Sequence, residues 1–436
     1  MAFIKKPVTG MRDILPGEME LRVRLQGIIR ETYLRYGFTE IETPLVEHIG
    51  NLTGKQGGEN EKLIFKILKR GESLKRSLET FGESLNGGDA AGGLDGGALT
   101  EEGLRYDLTL PLSRYYAANS GQLPQPFKAL QMGPVFRADR PQKGRFRQFT
   151  QCDIDILGDP TNLAEKELIL ATTEALHNIG FDRYDFYVAI NDRRFLFELI
   201  RYAGFPEDDA EEILITLDKA DKIGAEGVDK ELSEMGYAEE SILKLRKLLD
   251  GCGTDAAGVK AFASAIGTET AMNAGENVSD IMDSVTGFKG RKIRLKFDPT
   301  LVRGMGYYTG TIFEIKTDAF GSSVGGGGRY DRMVGRFIGQ DTPAVGFSIG
   351  FERIMSILME DGSGLIKNED KSAWLIEKGM PEDRLKEIFN EAGEKRSEGR
   401  RILMVWMAKN KKFQKEGLTA QGYTEIREFY INELKH

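Results

Sequence analysis

The run from Phe136 to Gly158, FRADRPQKGRFRQFTQCDIDILG, gathers side chains suited to binding a polar ligand. Read as a strand it alternates faces, so Arg145, Arg147, Phe149, Gln151, Asp153 and Asp155 fall on one side. Phe146, Cys152, Ile154 and Ile156 fall on the other. Two cations, a ring, an amide and two carboxylates are costly in a core, and together they suit the floor of a pocket for a ligand with anionic and hydrogen-bonding parts. The alternative is a solvated face of an antiparallel sheet. Arg137 in the same run, Arg303 in LVRGMGYYTG and Arg353 at the head of a helical stretch add further guanidinium groups. A guanidinium stays charged, fits phosphate oxygens and stacks on rings. Phe149 and one arginine could therefore sandwich a purine while the others hold a triphosphate. The chain has no GxxxxGKS/T loop and no GxGxxG turn after a first strand, which excludes a P-loop or Rossmann nucleotide site.

These residues need elements to hold them. Glu18 to Tyr36 has an apolar stripe of helical period, and the strand-like FTEIETPLVE follows. Pro44 favours an edge, a bulge or a subunit boundary for that strand. Residues 71–102 are glycine-rich and read as a long mobile loop or partly disordered insertion. LRYDLTLPL reads as a strand with Arg105, Asp107 and Thr109 on one face. Ala164 to Ile179 is a predicted helix and YDFYVAIN a strand, after which residues 193–277 turn helical and charged. Strands return at RKIRLKFD and GYYTGTIFEI. Gly325 to Gly328 reads either as a tight turn or as backbone that approaches a ligand closely. AVGFSIGFERIMSILME is a strand followed by a helix, residues 361–372 read as a linker, and the remainder alternates strand and helix as in a small α/β domain.

Composition narrows the class. A chain of 436 residues suggests two or three domains, and 40% hydrophobic with 29% charged residues describes a globular protein. No apolar run approaches the roughly 20 residues of a membrane span, so no membrane association is expected and a cytoplasmic location is. Two cysteines and three histidines leave no disulfide framework, histidine triad or zinc site to assemble, and no metal-ligating residue is assigned. A net charge of −8 argues against bulk nucleic-acid affinity while leaving room for a local basic surface.

FRADRPQKGRFRQF, AVGFSIGFERI and FTEIETPLVE together resemble the three signature motifs of class II aminoacyl-tRNA synthetases. More narrowly, GMRDILP, FRADRPQKGRFRQFTQCDIDILG, INDRRFL, LVRGMGYYTGTIFEI and GGGGRYD resemble the histidyl-tRNA synthetase family, in its order, over most of residues 8–360. The resemblance implies an α+β fold, an antiparallel sheet flanked by helices with a helical insertion and a small C-terminal α/β domain. It implies catalytic-domain segments at 1–192 and 278–362, the insertion at 193–277, and a short domain at 372–436 as the candidate anticodon-binding unit. The implied activity is ATP-dependent activation of L-histidine and its transfer to tRNA(His), with Mg2+ accompanying ATP, in a homodimer. Arg137 and Arg145 would then hold the ATP phosphates and the reacting carboxylate, and Phe149 and Arg353 the adenine. Arg303 would sit at the α-phosphate, and Asp107, Thr109, Gln151, Asp155, Tyr308 and Tyr330 would form the histidine pocket. The chain departs from the family's RGLDYY pattern at Gly306, which replaces an acid, and has Asp107 and Asp155 where glutamates are usual. The alternative is a synthetase-like regulatory subunit of ATP phosphoribosyltransferase, which does not aminoacylate.

Overall fold

The computed structural model describes residues 3–53, 59–86, 99–142, 144–288, 293–302, 306–361 and 371–432. The chain divides into two compact units, Met1–Asp13 with Arg22–Asp361, and Ile14–Leu21 with Gly362–His436. Helix α1 (Pro16–Arg35) has proline at its first position, where no amide hydrogen is needed, and buries Leu25, Ile29 and Tyr33 at four-residue spacing. FTEIETPLVE is two strands rather than one, because Pro44 cannot donate to a ladder. β1 (Thr39–Glu40) joins a large sheet, and β2 (Val46–His48) joins a small one that α2 (Ile49–Leu52) and β3 (Lys66–Leu68) follow in the chain.

Two local expectations fail here. Residues 71–102 include a helix, α3 (Gly71–Asn86), and a strand, β4 (Thr100–Leu104). Their glycines cluster after Asn86, in residues 87–98 outside those described, while the earlier half is rich in Glu, Leu, Lys and Arg, which favour helix. LRYDLTLPL is not a strand either, since α4 (Thr109–Asn119) begins within it. The Asp107 carboxylate accepts from the Leu110 amide at 3.1 Å, satisfying a donor of the first helical turn. Leu108, Leu112 and Tyr116, four apart, are buried. Alternation of apolar and polar residues over so short a run fits either element.

β5 (Phe127–Phe136), β6 (Gln148–Leu157), α5 (Leu163–Asn178) and β7 (Phe186–Asp192) follow. The helical run then comprises α6 (Arg193–Ala203), α7 (Ala210–Leu217), α8 (Ala220–Glu234), α9 (Glu239–Asp250), α10 (Ala256–Ile266) and α11 (Glu269–Thr286). β8 (Leu295–Phe297), β9 (Thr311–Thr317), β10 (Gly325–Arg329), α12 (Arg332–Ile338), β11 (Ala344–Ile349) and α13 (Phe351–Glu360) complete the first unit. Its sheet runs β1-β5-β6-β11-β10-β9-β7-β8. The end pairs β1/β5 and β7/β8 are parallel, and every pair between them is antiparallel. This is the expected α+β sheet, with α5 and α13 packed on its strands. The glycines from Gly325 to Gly328 form a strand paired on both sides rather than a turn.

In the second unit β12 (Lys371–Ile376) lies between β13 (Arg401–Trp406) and β14 (Glu425–Phe429), parallel to both. α14 (Glu382–Ser397) and α15 (Lys411–Ala420) are the crossovers that parallel strands require. Alternate residues of β12 feed two apolar clusters, Trp374 and Ile376 with Ile388 and Phe429, and Ala373 and Leu375 with Met407 and Leu418.

Candidate active site

The strand β6 starts at Gln148, so the polar face read from the sequence holds from Phe149 to Asp155 and not at Arg145 and Arg147. Arg145 instead belongs to a loop closed by backbone bonds with Gln142. Gly144 in that loop has φ 70°, a conformation that L side chains rarely adopt. Arg147 turns away from the face, donating to the carbonyls of Asp139 at 3.1 Å and Thr9 at 3.3 Å.

One cavity of about 380 Å³ is lined by Arg137, Arg145, Phe149, Arg353, Asp107, Thr109, Gln151, Asp155, Tyr308 and Tyr330. Every described candidate residue is therefore brought together. Arg303, with Gly304 and Met305, lies outside the described residues. Along β6 the order Phe149, Gln151, Asp153, Asp155 spreads the chemistry over roughly 20 Å at 3.3 Å per residue. At the Phe149 end, Arg137 lies 5.1 Å from that ring and 4.2 Å from Tyr106, and its Nε donates to the Tyr106 carbonyl at 3.1 Å. Arg353 donates to the Ser323 carbonyl and lies 3.5 Å from its hydroxyl.

The other end is acidic and buried. Asp155 is 3% exposed and accepts from the Tyr330 hydroxyl at 2.7 Å. Burial pushes its carboxyl up to about 7, although the tyrosine bond pulls the other way. Asp153 is also raised, well above the ordinary range, by burial first and the neighbouring Asp155 second. Burial likewise raises Asp107. Gln151 Nε2 reaches both Asp153 Oδ2 and Ser348 Oγ at 3.3 Å. Asp153 Oδ1 and Gln151 Oε1 are buried without a hydrogen-bond partner among the described residues. Three carboxyls and two orphaned acceptors suit a cationic, multiply donating ligand group.

The profile of histidyl-tRNA synthetases matches residues 94–354 of this chain. A histidine–tRNA ligase of Leifsonia xyli is 43% identical over 96% of this chain and 93% of its own length. This chain belongs to the histidyl-tRNA synthetase family. Another curated relative, a histidine–tRNA ligase of Bacteroides fragilis, is 38% identical over 80% of the chain and 75% of its own length. Among solved structures, a Nostoc histidyl-tRNA synthetase superposes with a TM-score of 0.78 at 25% identity, covering 97% of this chain and 90% of that one. A Bacillus halodurans protein described as an ATP phosphoribosyltransferase regulatory subunit/histidyl-tRNA synthetase shares the fold, with a TM-score of 0.76 at 22% identity over 98% and 99%.

In this member of the histidyl-tRNA synthetase family Gly346 of β11 makes room for Asp155, and the glycines of β10 for neighbouring backbone and Tyr308. A Cβ on Gly346 would lie 1.9 Å from Asp155 Oδ1, and one on Gly327 would lie 1.9 Å from the Gly346 carbonyl. One on Gly328 would meet Tyr308 at 2.8 Å. At Gly306, where the family's usual acid is missing, a Cβ would meet nothing within 4 Å. At the arginine-rich end Glu352, next to Arg353, forms a buried pair with Arg22 of α1 at 2.6 and 2.7 Å. Arg22 also donates to Thr150 Oγ1 on β6 at 3.1 Å, and the Thr150 amide donates to Glu352 at 3.2 Å. Burial opposes the charge on Glu352, but Arg22 more than offsets it and holds the carboxyl below its usual range. Sequence reasoning left Asp153 without a role and passed over Tyr307, Glu314 and Ser348, which also line the cavity. Asp153 was findable, since it lies between Gln151 and Asp155 on the same face; Ser348 faces it only through the β6–β11 register.

Proposed function

We propose that this chain activates L-histidine with ATP, releasing pyrophosphate, and passes the histidyl group to the 3′ end of tRNA(His). The observation that carries this reading is the division of one cavity into an acidic, tyrosine-lined end and an end with three arginines and a phenylalanine. Asp107, Thr109 and Gln151 hold the substrate ammonium, with the orphaned oxygen of Asp153 beside them. Asp155, held by Tyr330, reads the imidazole with Tyr308 or Tyr330. Phe149 and Arg353 take the two faces of adenine, while Arg137 and Arg145 hold the phosphates and the histidine carboxylate, and Arg303 stands at the α-phosphate. A carboxylate oxygen attacks the α-phosphorus and the bond to the pyrophosphate oxygen breaks. Fixed guanidinium groups meet the charge that gathers on the phosphate oxygens. A ribose hydroxyl at the tRNA 3′ end then attacks the activated carbonyl, and AMP leaves.

Mg2+ in this reading arrives with the ATP phosphates, whose oxygens suit it. The regulatory-subunit alternative is not favoured, because curated relatives at high coverage are named as histidine–tRNA ligases. No helix among the described residues is long and apolar enough to cross a membrane, and the substrates of this reading belong to the cytoplasm. We further infer a two-fold homodimer through the segment around Pro44. There β1 is an edge strand, and Leu34, Leu45 and Val46 are exposed. Sedimentation at micromolar concentration should return twice the chain mass, and a monomer would contradict the dimer. The decisive assay is histidine-dependent exchange of pyrophosphate into ATP. Arg137→Ala and Arg303→Ala should each lower it about a hundredfold to a thousandfold. Absence of exchange in the folded parent would overturn the proposal.

A further inference from the structure

INDRRFL is a stretch of the sequence pattern to which adenylation gives no task. Its two arginines open α6 at the end of β7. The Asp192 carboxylate caps α6 by accepting from the Arg194 amide at 2.9 Å, and it holds the Arg194 guanidinium through bonds of 2.9 and 2.8 Å. Arg193 is different. Its amide donates to the Gly310 carbonyl, its guanidinium lies 5.3 Å from the Phe197 ring, and burial pushes its pKa down. Arg332 and Arg336 of α12, one turn apart, face the same space.

Together these four arginines line a second cavity of about 350 Å³ whose described lining includes no carboxylate. The Glu211 carboxylate acts on Arg193 from outside this lining and opposes the effect of burial. In a chain of net charge −8 such a concentration is not a consequence of bulk composition. Like charges one helical turn apart repel, so a cluster of this kind suits an anion that sits among them. Tyr307 and Tyr308 line both this cavity and the candidate active site, so the two spaces share a wall.

We propose that this arginine cavity binds backbone phosphates of the single-stranded 3′ end of the RNA acceptor as it enters the active site. Arg193, Arg332 and Arg336 on two helices, with Arg194 committed to Asp192 beside them, offer more contacts than one phosphate needs. Phe197, with Arg193 5.3 Å from its ring, places an aromatic side chain among the cations, the pairing that single-stranded nucleic acid uses for its backbone and bases. The shared tyrosine wall sets this path beside the acidic end, where the activated carbonyl would stand. The inference rests on the proposed aminoacylation, and its test separates the two.

The experiment replaces both α12 arginines in the full chain, Arg332→Ala with Arg336→Ala. Both side chains are exposed and neither belongs to the adenylation cavity. Histidine-dependent pyrophosphate exchange should stay within about twofold of the parent, which also reports that the variant is folded. In aminoacylation kcat/KM for tRNA should fall at least tenfold, mainly through KM. The dependence of log affinity for tRNA on log salt should flatten by about 1.4, at about 0.7 for each lost single-strand phosphate. An unchanged KM and salt slope would overturn the inference. So would an unchanged KM accompanied by weaker product inhibition by pyrophosphate, which would assign the cavity to that anion instead. Loss of exchange in the parent itself would fail the adenylation reading and not this one.

Discussion

At the scale of single residues the acidic end of the cavity should set a measurable pH dependence. Asp155 titrates near 7 and Asp153 well above the ordinary carboxyl range, both chiefly because burial disfavours their charge. A folded-state pKa raised above the unfolded value gives stability that is complete below pH 4 and is lost as pH rises through the folded value. For Asp155 that window runs from about pH 4 to about 7, and at about 1.4 kcal/mol per unit the loss is a few kcal/mol. The ligand-free protein should therefore show a melting temperature that falls between pH 5 and 7, and Asp153→Asn should flatten the fall. A flat profile in the parent would contradict this account. Histidine, whose ammonium favours ionised carboxylates, should restore stability at pH 8 in the parent, and less so in Asp153→Asn. The face that carries these acids was legible because a strand period of two admits one register. The pKa shifts were not, because they come from burial by β5 and β11, which lie apart from β6 in sequence.

Elements bring distant chemistry together through a few fixed contacts, and the Arg22–Glu352 pair is one that fixes the arginine-rich end of the cavity. It ties α1 to α13 and to β6, so Arg353 and Phe149 are held by opposite ends of one buried ionic link. Removing Arg22 leaves the buried Glu352 carboxylate only Arg12 at 3.3 Å and the Thr150 amide at 3.2 Å, and breaking a buried pair typically costs about 3–5 kcal/mol. Arg22→Ala should destabilise by that order in denaturant titration and raise KM for ATP, whereas Arg22→Met with Glu352→Met should recover much of the stability. Equal losses in the single and double variants would show the pair contributes no specific link. A second contact lies at the acidic end. Gly346→Ala would force a methyl group against the Asp155 carboxylate, so KM for histidine should rise at least tenfold in pyrophosphate exchange while KM for ATP moves less. The sequence pattern exposed α1, α5, β7 and the β11–α13 succession because their apolar periods are long and regular. It misread LRYDLTLPL, where the side-chain bond from Asp107 to a helix amide outweighs a short alternation, and it could not show the glycine contacts, which depend on which strands are neighbours.

For the molecule as a whole, the candidate chemistry and the C-terminal unit are separable. Every residue lining the proposed adenylation cavity lies in Arg22–Asp361. The C-terminal unit keeps its own two-sided core, in which Trp374 is 1% exposed and donates to Ser372 Oγ at 2.9 Å. A core of roughly sixty residues rarely supplies more than about 3–5 kcal/mol, and Trp→Ala in such a core costs about as much. Trp374→Ala should therefore unfold that unit alone, visible as lost amide protection confined to residues 14–21 and 371–432. Pyrophosphate exchange should remain within about twofold, because no cavity residue depends on that core. Aminoacylation should fall further if the unit reads the anticodon arm. Its sequence-level basic run, AKNKKFQK, is only partly available for phosphate: Lys411 and Lys415 bind Glu428, whose carboxyl they and Tyr430 hold down to about 2. Lys409 and Lys412 are exposed. Charge reversal at those two lysines should therefore weaken tRNA binding and flatten its salt dependence, while the same change at Lys415 should act mainly on stability. Parallel loss of exchange and aminoacylation in Trp374→Ala would contradict separable units and make the C-terminal core part of the adenylation machinery.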